Sequence, residues 1–551
     1  MKTEPQTAGL VESGTIGLGC RLLAHGGAAR AFAHSPLAFA RSLSLSLVFL
    51  LAACMAGPDY RKPEVQIPQS FKEGVDWQRA EANPAALIPG TWWRMYRDDT
   101  LNELVERSLN ANQSIVAAEA AYRLALATVQ ANTATLFPVV AAGLSGARSG
   151  IGTGVTQGAS GVSSSGRAAI PGVFNSVSAS ASASWELDLW GAIRRQIESA
   201  KDSAQSSDAQ LAGMRLSIAA SVVVDYLALR QADYDILSLT RQQDIDSKIL
   251  DMTRASYREG ESSSDDVLVA QDVLETVVAN LQATKISREQ TEHAIAVLVG
   301  VPPASLDIAP DPAYPFPVPD VPLQLPSQLL ERRYDVVSAE RMAAAANAKI
   351  GAAKAAFFPS LTLSAEGGFQ HNTFAHLFSL PSRFWTLGPD LAQTIFDGGA
   401  RTAAVSEARA SYDQAVATYR NTVLSAFQSV EDSLSSVNHL RTQERAFANI
   451  LQRNRQLFAS VQAQRDVGTA SEQDLLTQQL TLIEAEQSLH DTQSTLAQSS
   501  VALIRNLGGG WQWDDAMAAS AAGRPLSSNV SSNASPDIPP AFRQTAGPPS
   551  D

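Results

Sequence analysis

Two kinds of hydrophobic periodicity alternate along this chain, and each occurs twice. From Val177 to Leu189 the alternation is nearly unbroken: Val177, Ala179, Ala181, Ala183, Trp185, Leu187 and Leu189 stand against Ser178, Ser180, Ser182, Ser184, Glu186 and Asp188. Period two puts these sets on opposite faces of a strand. Leu361, Leu363, Ala365, Gly367 and Phe369 alternate in the same way with Thr362, Ser364, Glu366 and Gln370. The pattern predicts two pairs of strands, near 139–149 with 174–189 and 360–370 with 383–396. Helical spacing follows each pair. Ala192 to Arg258 contains no proline and places apolar residues at Leu211, Met214, Ile218, Val222, Tyr226 and Leu229. At 1.5 Å per residue such a helix spans about 100 Å. Ala400 to Arg465 is its counterpart, and shorter helical stretches are expected near 101–135, 266–299, 327–356 and 474–507, each pair matching one long helix end to end.

The chain therefore reads as a tandem duplication. Leu136-Phe137-Pro138 opens the first β-patterned stretch and Phe357-Phe358-Pro359 opens the second, 221 residues later; beyond the strands Arg194 answers Arg401 at an offset of 207. The first hairpin is thus longer by 14 residues. Repeats of this kind usually bury their apolar faces only beside copies of themselves. The expected organisation is a signal peptide over 1–53, longer than an n-region needs, as a start assigned too far upstream would make it; an N-terminal segment over 54–100; a first repeat over 101–300 with its hairpin at 139–189; a Pro-rich linker over 301–326; a second repeat over 327–510 with its hairpin at 360–396; and a disordered tail over 511–551, where Ala, Ser, Asn and Pro leave little to pack.

An address precedes the first repeat. Arg41, the apolar run to Leu50 and then Leu51-Ala52-Ala53-Cys54 have the basic, apolar and small-residue order of a signal peptide rather than a spanning helix. Leu-Ala-Ala-Cys looks like a bacterial lipobox, which implies cleavage before Cys54 and lipidation of its thiol. Met55 follows where an aspartate would have suggested retention at the inner membrane, so the outer membrane is the expected destination. A soluble sandwich would give the same strand alternation; the lipobox, together with Phe174, Trp185, Trp190, Phe384, Trp385 and Phe396 near strand ends, favours a membrane barrel. Four strands cannot close one, and open edges are not tolerated in lipid, so several chains must pool their strands. A coiled-coil scaffold would share the helical spacing.

Composition removes other classes. The net charge is −13 and no basic stripe forms, so no nucleic-acid partner is expected. Cys20 and Cys54 are the only thiols and supply no disulfide framework. No H-E-x-x-H, G-x-S-x-G or Walker pattern occurs, which argues against an enzyme. The Gly- and Ser-rich segment from Gly150 to Gly166 lacks the lysine and following helix of a phosphate loop and reads as a surface loop. His371 and His376 come closest to a metal pair but lack an evident third ligand, so no metal is expected. Two turns far from the strands hold the remaining candidates: Gly260, Glu261 and Ser262 before Asp266, and Gly468, Thr469, Ala470 and Ser471 before Asp474. Glycine stops one helix and Ser or Thr with a following acid caps the next.

These features together resemble the TolC-like outer-membrane factors, specifically the NodT-type lipoproteins of resistance-nodulation-division efflux systems. The resemblance runs from about Cys54 to Gly510 and rests on Gly57-Pro58-Asp59-Tyr60-Arg61-Lys62-Pro63; on Trp92-Trp93 with Tyr96, Asp98, Leu101 and Leu104; on Trp185-Glu186-Leu187-Asp188-Leu189-Trp190-Gly191 and Ile395-Phe396-Asp397-Gly398-Gly399-Ala400-Arg401; and on Leu329-Leu330-Glu331-Arg332-Arg333-Tyr334-Asp335. It implies a mixed α/β membrane protein, a homotrimer whose 12-stranded β-barrel continues as a periplasmic α-barrel with an equatorial belt. It further implies a passive exit duct for drugs, toxic organics or metal ions, fed by an inner-membrane pump through a periplasmic adaptor. No cofactor is implied beyond the covalent lipid at Cys54. Asp474 falls where the family places an acid at the periplasmic aperture, and the two turns would be adaptor-docking tips. Ala470 stands where some relatives have arginine, Thr477 where some have a second acid, and Tyr334 where proline is usual. A conduit for type I protein secretion and a trimeric surface stalk are the alternative functions.

Overall fold

The computed structural model describes residues 55–68, 71–74, 90–151, 172–321 and 332–510. Cys54, nearly all of the Gly/Ser-rich segment, part of the Pro-rich linker and the C-terminal stretch lie outside these residues. Four strands, β1 (Val139–Ile151), β2 (Gly172–Leu187), β3 (Ser360–His371) and β4 (Arg383–Ala392), form one antiparallel sheet in the order β1-β2-β3-β4. The two hairpins are joined through β2 and β3, with Trp185 opposite Leu363 and Val177 opposite His371. Among the described residues the edges of β1 and β4 carry no further strand.

The helices are α1 (Asp99–Ala111), α2 (Gln113–Ala134), α3 (Ala192–Arg258), α4 (Ser264–Val299), α5 (Tyr334–Ala355), α6 (Ala400–Asp466) and α7 (Glu472–Asn506). The single helix expected over 101–135 is broken at Asn112. Its side chain accepts from the backbone N–H groups of Ser114 and Ile115 and donates to the carbonyl of Leu298 at 2.8 Å, so one residue caps α2 and fastens it to the end of α4. Both long helices have 67 residues, a length of about 100 Å.

Helix α3 lies at the centre of the helical layer. Its first half packs between α2 and α5 and its second between α4 and α7, while α6 covers the other side of α5 and α7. Its apolar stretch is long enough to cross a membrane by length and composition. Val222, Val223, Tyr226, Leu227 and Leu229 are nevertheless buried in the main core, among Trp92, Trp93, Tyr96, Phe316 and Ile504. The entry segment, both repeats and the linker meet there, so the apolar run of α3 serves protein packing.

Candidate functional site

The strand faces separate as period two requires. Val140, Leu144, Trp185, Trp385, Leu387 and Leu391 are exposed, most of them by more than half, and adjacent strands align Trp185 with Leu363 and Leu361 with Leu391. The other face aligns Ser182 with Glu366 and Thr386, and Glu186 with Thr362 and Asp390. Exposed aromatic residues gather at both ends of the sheet, with Phe374, Phe378 and Trp385 near the loops and Phe137, Phe358 and Phe396 near the helices, while Phe174, opposite Ser149, belongs to the other face. An apolar band between aromatic girdles, backed by a polar face, suits a barrel wall with lipid outside and water within.

Two strands stop sooner than their alternation predicts, β2 at Leu187 rather than 189 and β4 at Ala392 rather than 396. β4 ends where its partner β3 begins, at Ser360 after Pro359, and an acid then turns the chain from each strand into its helix. Asp188 accepts from the backbone N–H of Ile193 (3.1 Å) and of Arg194 (2.9 Å), and from Arg194 Nε. Asp397 accepts from the N–H of Gly399 (2.9 Å) and of Arg401 (3.2 Å) and from Arg401 Nε (2.7 Å), which holds its carboxyl down at about 2. Each acid satisfies the free N–H groups that open a long helix, with Gly191 and Gly399 in the left-handed region turning the chain. The repeated Asp-Gly-Arg pattern is therefore the hinge between wall and tunnel.

At the opposite ends the two turns share one construction. Glu261 N–H bonds Ser256 O and Gly260 N–H bonds Tyr257 O; Thr469 N–H bonds Gln464 O and Gly468 N–H bonds Arg465 O. Gly260 and Gly468 have φ of 78° and 79°, so both helices end in a Schellman motif. Ser263 with Asp266 and Ser471 with Asp474 then form capping boxes. Asp474 Oδ2 accepts from Ser471 N–H (2.9 Å) and Oγ (2.7 Å), and these bonds lower its pKa. Gly260, Glu261, Gly468, Thr469 and Ser471 are exposed, while Ser262 and Ala470 are half-buried. The second turn carries an additional ion pair, Arg465 to Glu472 at 2.9 Å. Thr477 turns its hydroxyl back to Gln473 O.

The outer membrane efflux protein family model matches residues 104–301 and 325–509, one segment for each repeat. The antibiotic efflux pump outer membrane protein ArpC of Pseudomonas putida is 30% identical over 477 residues, covering 85% of this chain and 95% of that protein. Nodulation protein T of Rhizobium leguminosarum bv. viciae is 28% identical over 455 residues, 82% of this chain and 88% of that one. The solved structure of the outer-membrane channel OprN superposes with a TM-score of 0.72 at 28% identity, covering 84% of this chain and all of that one. The chain belongs to the outer membrane efflux protein family. It is an outer-membrane channel and a passive conduit rather than an enzyme.

In this efflux protein the histidine pair has a local task. Thr373 N–H donates to His371 Nδ1 (3.0 Å), the Thr373 hydroxyl lies 3.3 Å from His376 Nδ1, and no group of three or more metal-binding side chains occurs among the described residues. Sequence reasoning missed a buried lock under the linker. Tyr226 donates to Asp98 (2.6 Å), Arg230 pairs with Asp233 (3.0 Å) and donates to Ala309 O (2.7 Å), and Arg288 bridges Asp233 (2.7 Å), Glu292 (2.7 Å) and Ile308 O (2.7 Å). Asp98 also caps α1 through the N–H of Leu101. The only signal was the i, i+4, i+7 spacing of Tyr226, Arg230 and Asp233, which resembles any polar helix face. Through this lock the described part of the linker, with its short turn at Pro303–Ser305, is held against α3 and α4.

Proposed function

We propose that three copies of this chain close into a 12-stranded barrel continued by a helical tunnel, and that this tunnel is the exit of a tripartite pump whose other parts are an inner-membrane resistance-nodulation-division transporter and a periplasmic adaptor. One observation carries the reading: the sheet ends in the free edges β1 and β4, and the helical layer ends in the same order, α2 and α4 on one side and α6 on the other. Both free sides ask for the same neighbour, another copy with β4 beside β1 and α6 beside α2 and α4. Exposed apolar residues line those sides, among them Leu124, Leu268, Val273 and Ile286 against Leu424 and Leu457. Lipid does not tolerate the open sheet edge. Small-molecule cargo is supported by the antibiotic efflux named for ArpC.

The remaining assignments rest on position. Ala56 N–H bonds Trp190 O, so the described chain begins beside the strand-to-helix hinge, which supports reading the cysteine that precedes it in sequence as a lipid anchor at the membrane. The exposed turns at Gly260–Ser262 and Gly468–Ser471 are the surface offered to the adaptor. Asp474 spends Oδ2 on its cap and keeps Oδ1 for the periplasmic aperture, where three such carboxylates would repel one another and attract cations. Mass measurement in mild detergent tests the assembly, with three copies expected; a folded monomer would overturn it. Intact mass should show a chain starting at lipidated Cys54. In planar bilayers Asp474→Ala should change conductance and divalent-cation block, and unchanged values would leave Asp474 as a cap alone.

A further inference from the structure

The N-terminal segment marks the outer side of the helical layer. Asn347 Nδ2 donates to the carbonyl of Pro58 (3.1 Å), the Tyr60 hydroxyl donates to Glu340 (2.6 Å), and Gly57 lies against the backbone of Gly351 with no room for a side chain on either. Glu340, Asn347 and Gly351 share one face of α5. A chain leaving a lipidated cysteine must run along the outside of the tube, so the opposite face of α5 looks into the tunnel. At about 3.6 residues per turn Lys349 lies on that opposite face.

Two hollows open beside that face of α5. Between α3, α5 and α6 lies a hollow of about 810 Å³, and between α2 and α3 one of about 500 Å³; Ser203 and Lys349 line both. The rest of the lining is Ser, Thr, Gln, Asn, Met, Ala, Gly, Leu and Tyr, with Asp335 as the one further charge. Asp335 is taken by Arg333 at 2.6 Å. Acids on the other faces are taken as well: Glu340 by Arg341 and Tyr60, and Glu198 by Arg195. Lys349 is exposed, and no acid lies within 4 Å of its ammonium among the described residues. An unneutralised charge beside a low-dielectric wall acts on passing ions more strongly than one in open water.

We infer that Lys349, once from each copy, forms a cationic collar inside the upper tunnel that favours the passage of small anions, inorganic or organic. The inference rests on the trimeric channel reading. It gives the duct two sections of opposite preference, an acidic aperture at the far turns and a basic collar nearer the membrane.

Bilayer recordings of the full lipidated protein in a potassium chloride gradient test it, at low ionic strength where the Debye length reaches about 30 Å. Relative to the unmodified channel, Lys349→Met should move the reversal potential toward the potassium equilibrium potential, and Lys349→Glu should move it further. Lys354→Met removes the same charge from another face of α5 and should move it little. Lys349→Cys supplies a thiol in a mature chain whose only other cysteine is lipidated; a cationic methanethiosulfonate should restore the original reversal potential and an anionic one should not. Open channels with the same reversal potential in all Lys349 variants would overturn the collar. Absence of any channel from the unmodified protein would overturn the channel reading itself, and the collar with it.

Discussion

Helices α3 and α6 are equivalents in the two repeats, equal in length and opened by the same acid-and-glycine hinge, yet they are buried very differently. Buried residues run along α3 from Ile193 to Leu250, whereas in α6 they are confined to the stretch from Tyr419 to Leu451. Leu250 and Leu457, 207 positions apart, show the contrast at one site: the first is 4% exposed and the second 52%. Their chemistry is the same, so the difference comes from position in the layer. Helix α3 has neighbours on both sides and α6 has them on one. In the proposed trimer such an exposed apolar side chain at the edge of the layer is where the next copy would pack, since exposing it costs about 1.5–3 kcal/mol relative to burial.

The strongest way to break the comparison is at the lock that only α3 possesses; the α6 residues corresponding to Arg230 and Asp233 are the apolar Val437 and Leu440. Asp233→Ala leaves Arg230 and Arg288 buried without their shared partner, a loss of about 3–5 kcal/mol. Thermal unfolding in detergent should show it, along with proteolytic release of the linker. Next, Leu250→Ala should cost about 2–5 kcal/mol because it opens a cavity inside the chain. Leu457→Ala opens no cavity inside the chain and should instead lower the share of chains found as trimer in mild detergent. Loss of the trimer to the same extent in both variants would remove the edge assignment for α6.

A smaller effect is expected at the seam of α3 and α7. Burial, and then the neighbouring Asp491, push Asp235 up from 3.8 to about 6, although Gln231 donates to both carboxylates (3.0 and 2.5 Å) and Gln487 reaches Asp235 at 3.4 Å. The folded chain then holds this proton more tightly than the unfolded one, so stability should rise as pH falls from about 6 toward 3.8. Asp235→Asn should raise the melting temperature at neutral pH and flatten that dependence. The smallest effect belongs to the tips. Ser471→Ala and Ser263→Ala should each lower stability slightly and about equally. The capping bonds of Asp474 hold its pKa below the ordinary carboxylate value, so their contribution is full at neutral pH and is lost as pH falls through that lowered value. A larger loss at Ser471 than at Ser263 would show that the Arg465–Glu472 pair makes the second turn the more tightly built.

Local patterns were legible because they report local forces. Alternation placed the four strands to within a few residues, freedom from proline placed the long helices, and glycine followed by Ser and Asp placed both far turns with the capping that the structure contains. The strand ends differ because Trp-Glu-Leu-Asp-Leu and Thr-Ile-Phe-Asp continue an alternating pattern, while the free N–H groups of the following helix draw Asp188 out of β2 and β4 runs out of partner where β3 begins at Ser360. Period and capping need only neighbours in sequence, so the chain by itself determined its repeats, its elements and its membrane-type strand faces. Tertiary structure alone decided that β2 pairs with β3, that α3 is central and α6 peripheral, that Arg230, Asp233 and Arg288 lock the linker, and that Lys349 faces away from the N-terminal segment. Each of these depends on which groups meet across hundreds of residues, and no local preference encodes such a meeting.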